Sequence, residues 1–93
     1  MSEHENAALP RRRAGVELQV EGVRTVLLAK KQDAVFELDP LGRAIWELCD
    51  GTNAIEEIAV AVCKVFDVDG EAATRDVARL VEQLRTAGLV DRA

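Results

Sequence analysis

The stretch "FELDPLGRAIWELCDGT", residues 36–52, changes its hydrophobic period halfway along, and that change decides the fold. On its amino side Ala34, Phe36 and Leu38 alternate with Val35 and Glu37, the two-residue repeat of a strand with one buried face. On its carboxyl side Leu41, Ala44, Ile45, Leu48 and Cys49 recur at helical spacing. Asp39-Pro40 is the joint. An aspartate N-cap accepts from the first helical N–H groups, and proline at the first position gives up an N–H that has no partner there. A helix is predicted from Pro40 to about Cys49, closed by the turn Asp50-Gly51. Trp46 lies about 100° beyond Ile45, so the apolar arc covers more than half the circumference and leaves Arg43 and Glu47 to water. Such a helix is packed on two sides, and Trp46 is read as a plug between elements rather than a ligand platform.

Upstream of this corner, "VELQV" (residues 16–20) alternates strictly, Glu21-Gly22 supplies a tight connection, and "RTVLLA" (24–29) is rich in β-formers. Lys30 to Asp33 form a polar loop before the strand 34–38. Downstream, Asn53 is expected to cap a second helix with Glu56 three residues on. That helix runs from about Ala54 to Phe66 and faces inward with Ile55, Ile58, Ala61, Val62, Val65 and Phe66. Val68-Asp69-Gly70 restarts the chain into a third helix, about Glu71 to Thr86, striped by Ala73, Val77, Leu80, Val81 and Leu84. Gly88 is expected in the left-handed position after that helix, with Leu89 folding back toward Leu84. The predicted order is βββααα. This is an α+β, small winged-helix-like domain over residues 14–93, a three-stranded antiparallel meander followed by three helices. Residues 1–13 are predicted to be a flexible tail holding His4, with Arg11-Arg12-Arg13 as a solvated charge run.

Composition narrows the function. The 93 residues are 48% hydrophobic and 31% charged, with three aromatic residues, so aliphatic side chains must fill the core of one domain. No apolar run approaches the roughly 20 residues of a membrane span, and "MSEHENAALP" lacks the basic start and apolar stretch of a signal peptide. A cytoplasmic location is expected. Cys49 and Cys63 belong to no Cys/His cluster and are read as buried thiols at a helix interface, with no metal site. The charge is +2 over residues 1–32, −8 over 33–76 and +1 over 77–93. An acidic centre repels phosphate backbones and suits a basic partner or plain solubility.

Catalysis has few candidates: Ser2 is the single serine, His4 the single histidine, and tyrosine is absent. The carboxylates Glu56-Glu57 and Asp67/Asp69 sit where helix capping explains them. "FDVDGEA" (66–72) lacks the later acidic ligands of a calcium loop. No enzyme activity and no cofactor are expected. Helices two and three, ending in "LVEQLRTAGLVDR" (80–92), have the outline of a winged-helix DNA reader, the alternative reading. In that reading Arg75, Arg79 and Arg85 are offset by Glu71, Asp76 and Glu82, and the strands precede the helices where a wing would follow them.

"LDPLGRAIWELCDGTNAIEEIAVAV" (38–62) and "DVARLVEQLRTAGLV" (76–90) carry a resemblance. A leucine, a polar residue, a glycine or alanine, Ile-Trp and Asp-Gly are followed by an "EIA" helix and an Asp-Val helix ending in Gly-Leu. The pattern, over residues 16–90, resembles the PqqD family, recognition elements of ribosomally made, modified peptides. The resemblance implies a domain without chemistry of its own. It would bind the leader of a precursor peptide and present the core to a modifying enzyme. That enzyme is a radical S-adenosylmethionine protein in the pyrroloquinoline quinone pathway, and a leader peptidase and cyclase in lasso-peptide maturation. It also implies where the leader lies: along Ala34, Val35, Phe36, Glu37 and Leu38 as an added strand, against Arg75, Asp76, Arg79, Leu80 and Gln83 of the third helix. Lys30-Lys31-Gln32-Asp33 stand where many quinone-pathway members carry Pro-Glu, a departure that bears on pathway and not on fold. A free-standing domain, monomer or homodimer, is expected, with neither nucleic acid nor membrane as partner.

Overall fold

A computed structural model describes residues 9–92. The chain runs β1 (Pro10–Arg12), β2 (Val16–Glu21), β3 (Arg24–Ala29), β4 (Ala34–Leu38), α1 (Pro40–Leu48), α2 (Ile55–Val65), α3 (Gly70–Thr86) and β5 (Val90–Arg92). Strands β2, β3 and β4 form the expected antiparallel meander, in that order, and the three expected helices follow. Glu21 pairs with Arg24, so the first hairpin turns on Gly22-Val23; Gly22, at φ 63°, takes the left-handed first position of a II′-type turn. Leu27 faces Phe36 and Ala29 faces Ala34 across β3 and β4. Ala34, Phe36 and Leu38 therefore share the inner face, and Val35 and Glu37 point away from it.

Local chemistry sets each helix end. The Asp39 carboxylate accepts from the Gly42 N–H at 2.7 Å and Pro40 opens α1. Asp69 does the same for α3, accepting from Ala72 at 3.3 Å. The expected Asn53–Glu56 pair is displaced by one residue. Ala54 is the N-cap of α2, and its N–H donates to Glu57 at 2.7 Å. The Asn53 amide instead donates to the Leu48 carbonyl at 3.1 Å and to Asp50 at 3.2 Å, satisfying the end of α1. At the end of α3, Gly88 adopts φ 81°, Leu89 N–H donates to Leu84 O and Gly88 N–H to Arg85 O. That is a Schellman closure, and it buries Leu89 beside Leu84.

The core lies between the inner face of the meander and the helices. Leu27, Ile45, Ile58, Val62, Val77, Leu84, Leu89 and Val90 are fully enclosed, and Trp46 is buried among them. Cys49 is enclosed as expected, whereas Cys63 is half-buried. No helix among the described residues is long and apolar enough to cross a membrane.

The tail predicted over residues 1–13 is corrected from Pro10 onward. β1 pairs antiparallel with β5, placing Pro10 opposite Arg92 and Arg12 opposite Val90. Arg12 N–H donates to Cys49 O at 2.9 Å, Gly51 N–H to Pro10 O at 2.8 Å, and Arg13 N–H to Leu89 O at 3.0 Å. Nor is the arginine run a solvated one throughout. The Arg12 guanidinium donates to the carbonyls of Trp46 and Glu47 at 3.0 and 2.7 Å, and lies 5.9 Å from the centre of the Trp46 ring. It thus neutralises the negative end of α1. Arg13 forms a two-pronged ion pair with Asp91. Ser2 and His4 lie outside the described residues.

Candidate functional site

Strand β4 is hydrogen-bonded to β3 on one side, and no described strand pairs with its other edge. That edge carries backbone donors and acceptors in a row. Beside it, between β4, the first turns of α1 and α3, runs an open groove of about 760 Å³. The corner at Asp39-Pro40 borders it: α1 begins two residues after the last residue of β4, and both corner residues line the groove. Phe36, Leu38, Leu41, Ile45 and Leu80 supply its apolar lining. Gly42 sits at the bottom: a Cβ there would stand 3.1 Å from the Asp39 carboxylate, 3.2 Å from Leu38 and 3.5 Å from Leu80. A side chain at this position would crowd both the cap and the groove.

Charges border the groove in pairs. On the sheet side Arg24 meets Glu37 at 3.4 Å, and on the helix side Arg79 meets Asp76 at 3.8 Å. Both pairs are long and exposed, so each holds its partner weakly and can exchange it for a charge on a ligand. Gln83 adds a neutral donor and acceptor.

Of the residues predicted from the sequence, Phe36, Glu37, Leu38, Asp76, Arg79, Leu80 and Gln83 come together around this one groove. Ala34 and Val35 belong to the same strand edge but not to the lining, and Val35 points outward, 70% exposed. Arg75 is not brought to the groove; it sits about 100° round α3 from Asp76 and faces solvent. Sequence reasoning missed Val23, Arg24, Asp39, Pro40, Leu41, Gly42 and Ile45 as lining residues. A signal existed for the first. Val23 stands fully exposed in a two-residue turn where asparagine or glycine is the usual choice.

The groove offers hydrogen bonds, charge and apolar contact. Neither thiol reaches it: Cys49 is enclosed, donates to the Ile45 carbonyl at 3.2 Å, and has its pKa pushed up to about 11 by burial. Cys63 lines a separate cleft. Among the described residues no cluster of three or more histidine, cysteine or acidic side chains could hold a metal ion. An unpaired strand edge over an apolar trough bordered by exchangeable charges suits an extended peptide.

Comparison with known proteins agrees with this geometry. Residues 24–90 match the model of the family described as coenzyme PQQ synthesis protein D (PqqD). A PqqA binding protein of Xanthomonas campestris pv. campestris (strain B100) is 31% identical over 90 residues, 97% of this chain and 98% of that protein. The PqqD portion of Methylobacterium extorquens PqqCD is a functional, stand-alone recognition element for ribosomally synthesized and post-translationally modified peptides. Its solution structure superposes with a TM-score of 0.70 at 29% identity, covering 95% of this chain and 99% of that one. TbiB1, solved in complex with the TbiA(beta) leader peptide, gives a TM-score of 0.73 at 28% identity, covering 86% of this chain and 93% of that one.

Proposed function

This chain belongs to the PqqD family, and on that premise we propose that it binds the leader segment of a ribosomally made precursor peptide and presents the remainder to a modifying enzyme. The leader adds to β4 as a further antiparallel or parallel strand. Its backbone pairs with Ala34 to Leu38, and alternate side chains enter the trough floored by Phe36, Leu38 and Leu80. Asp76, Arg79 and Gln83 read its charge and polarity from α3, Glu37 and Arg24 from the sheet. Main-chain pairing supplies sequence-independent affinity, and the trough and its two ion pairs supply selection. Arg75, off the groove wall, reads the leader only where the peptide extends past the helix. The domain works in the cytoplasm. The enzyme it serves is of the radical S-adenosylmethionine or the leader peptidase and cyclase type.

The single observation that carries this reading is the free β4 edge lying alongside a groove walled by α3. The DNA-binding alternative gains nothing comparable. β5 follows α3 as one strand paired with β1 rather than as a wing hairpin, and Arg85 is held by Glu82 in a two-pronged ion pair. The test is a titration of isotope-labelled protein with the leader peptide encoded beside this chain. Backbone amides of residues 34–38 and of α3 from Asp76 to Gln83 are expected to shift together. Shifts confined to β1, β5 or the helix α2 would overturn the reading.

A further inference from the structure

The groove and the strand edge beside it are out of step. β4 spans Ala34–Leu38, yet the lining takes only Phe36, Glu37 and Leu38 from it. Past Leu38 the lining continues through Asp39, Pro40 and Leu41 to the tip of the β2–β3 hairpin at Val23. The groove thus begins midway along the edge and runs on beyond its end. The ladder cannot follow it there. Pro40 has no N–H to donate, and the Asp39 carbonyl already accepts from the Arg43 N–H at 2.9 Å. A peptide that leaves Leu38 is released from strand pairing and has only the trough to follow.

Val23 is an unexplained residue at that end. It is fully exposed and takes the second position of the hairpin turn, after Gly22 at φ 63°. Turns of this type favour glycine, asparagine or aspartate, so turn chemistry gives no reason for an aliphatic side chain. The core gives none either, since Val23 belongs neither to the buried cluster nor to the side chains packed against it. Single exposed hydrophobic residues are ordinary, and position sets this one apart. Among the described residues the exposed large hydrophobics are Val20, Val23, Val35, Val60 and Val65, and Val23 alone of them lines the groove.

We propose that Val23 is a specificity-determining contact for the leader peptide, taking an apolar leader side chain from outside the segment paired to β4, past its Leu38 end. The inference rests on the leader-binding reading and adds a second point of contact to it. The main chain is held along residues 34–38, and one side chain is read at the hairpin tip. Continuity identifies the occupant, because the tip and the β4 edge border one trough. Distance sets the chemistry. A strand added to β4 lies about 5 Å from it and about 10 Å from β3, so alanine or valine on that strand falls short of the tip. Leucine, methionine or an aromatic residue spans the gap, most readily where the peptide bends across Pro40 and Leu41.

The experiment measures the affinity of the full chain and of Val23→Asn for the leader of the precursor peptide encoded beside it. Asparagine suits the turn, so the melting temperature of the free variant should hold or rise. Its leader affinity should fall about tenfold, the worth of burying one valine side chain. Alanine substitutions along the leader should find one long apolar residue whose loss weakens binding to the parent by a similar factor and to Val23→Asn not at all. Nuclear Overhauser contacts to the amides of residues 34–38 mark the paired segment, and that residue should lie outside it. A Val23→Asn chain that binds as the parent does, or a coupled residue inside the paired segment, overturns the role of Val23 and leaves leader binding standing. Equal weakening by Val65→Asn, exposed on α2 and off the groove lining, shows a loss that is not local and overturns it too. Leader affinity that falls as the protein is concentrated makes a second copy the occupant of the tip, with the same consequence. Failure of the parent chain to bind the leader overturns both readings.

Discussion

Single side chains decide how firmly the corner between sheet and helices is held, and Arg12 is the most consequential of them. It reaches across to the carboxyl end of α1, where helix carbonyls lack intrahelical partners, and donates to two of them while covering the face of Trp46. Arg12→Ala should lower stability by about 1–2 kcal/mol through the lost charge-assisted bonds and stacking. The expected signature is a lower denaturant midpoint with an unchanged slope. Arg12→Lys should restore only part of the loss, because an ammonium cannot span two carbonyls and stack as a planar fork does. Cys49 gives a pH prediction. Burial pushes its thiol pKa from the ordinary 9.0 up to about 11, so the unfolded thiol ionises first. Its stabilising contribution is whole below pH 9 and is lost as pH rises through about 11. Comparison with Cys49→Val by denaturant titration between pH 7 and 11 should show the parent losing about 2 kcal/mol relative to the variant across that window. Equal slopes for the two proteins would refute this.

The elements with a period were legible in the sequence, and those without one were not. Strand 34–38 and the three helices follow from alternation, from helical stripes and from Asp39-Pro40, Asp69 and Gly88 as punctuation. β1 and β5 have three residues each, too few to show a repeat, and their pairing joins opposite ends of the chain. Arg12 in β1 and Arg13 just after it read as solvated because charge is usually exposed; here their partners are backbone carbonyls and Asp91, which only the tertiary fold supplies. The site divides in the same way. Its β4 and α3 members came from strand and helix faces together with the family pattern. Leu41, Gly42 and Ile45 were missed because the groove floor depends on the angle at which α1 leaves the sheet. Arg75 was misplaced by a single residue of helical rotation. The β1–β5 ladder yields a prediction of its own. A chain beginning at Ala14 loses enclosed Pro10, the Arg12 cap and the backbone bonds to Cys49, Gly51 and Leu89. Thermal or denaturant unfolding should show a loss of roughly 2–4 kcal/mol, with the groove itself intact in the fraction that folds. Unaltered stability would mean that the ladder is ornamental.

At the scale of the whole molecule, one face is left unfinished for a peptide to complete. The sheet has three strands, its core side is filled by Leu27, Phe36 and the helices, and of its two edges unpaired among the described strands, β2 and β4, the β4 edge is the one that lies beside the apolar trough. A leader peptide that binds only the folded form must therefore stabilise the fold by mass action. At a hundredfold excess over its Kd the gain is about 2.7 kcal/mol, which in a domain of this size raises the melting temperature by roughly 10 °C or more. Hydrogen-exchange protection should rise along β4 and on the groove side of α3, and not in β1 or β5. Leu80 tests whether the trough carries this effect, since it floors the groove and is only half-buried in the free protein. Leu80→Glu places a charge where the peptide's apolar side chains must sit, so it should abolish the shift at the same peptide concentration. A Leu80→Glu protein that melts cooperatively and still gains the full shift would show that the leader binds elsewhere. Loss of the shift in that folded variant would tie recognition to the meeting of β4 and α3 beside the corner at Asp39-Pro40.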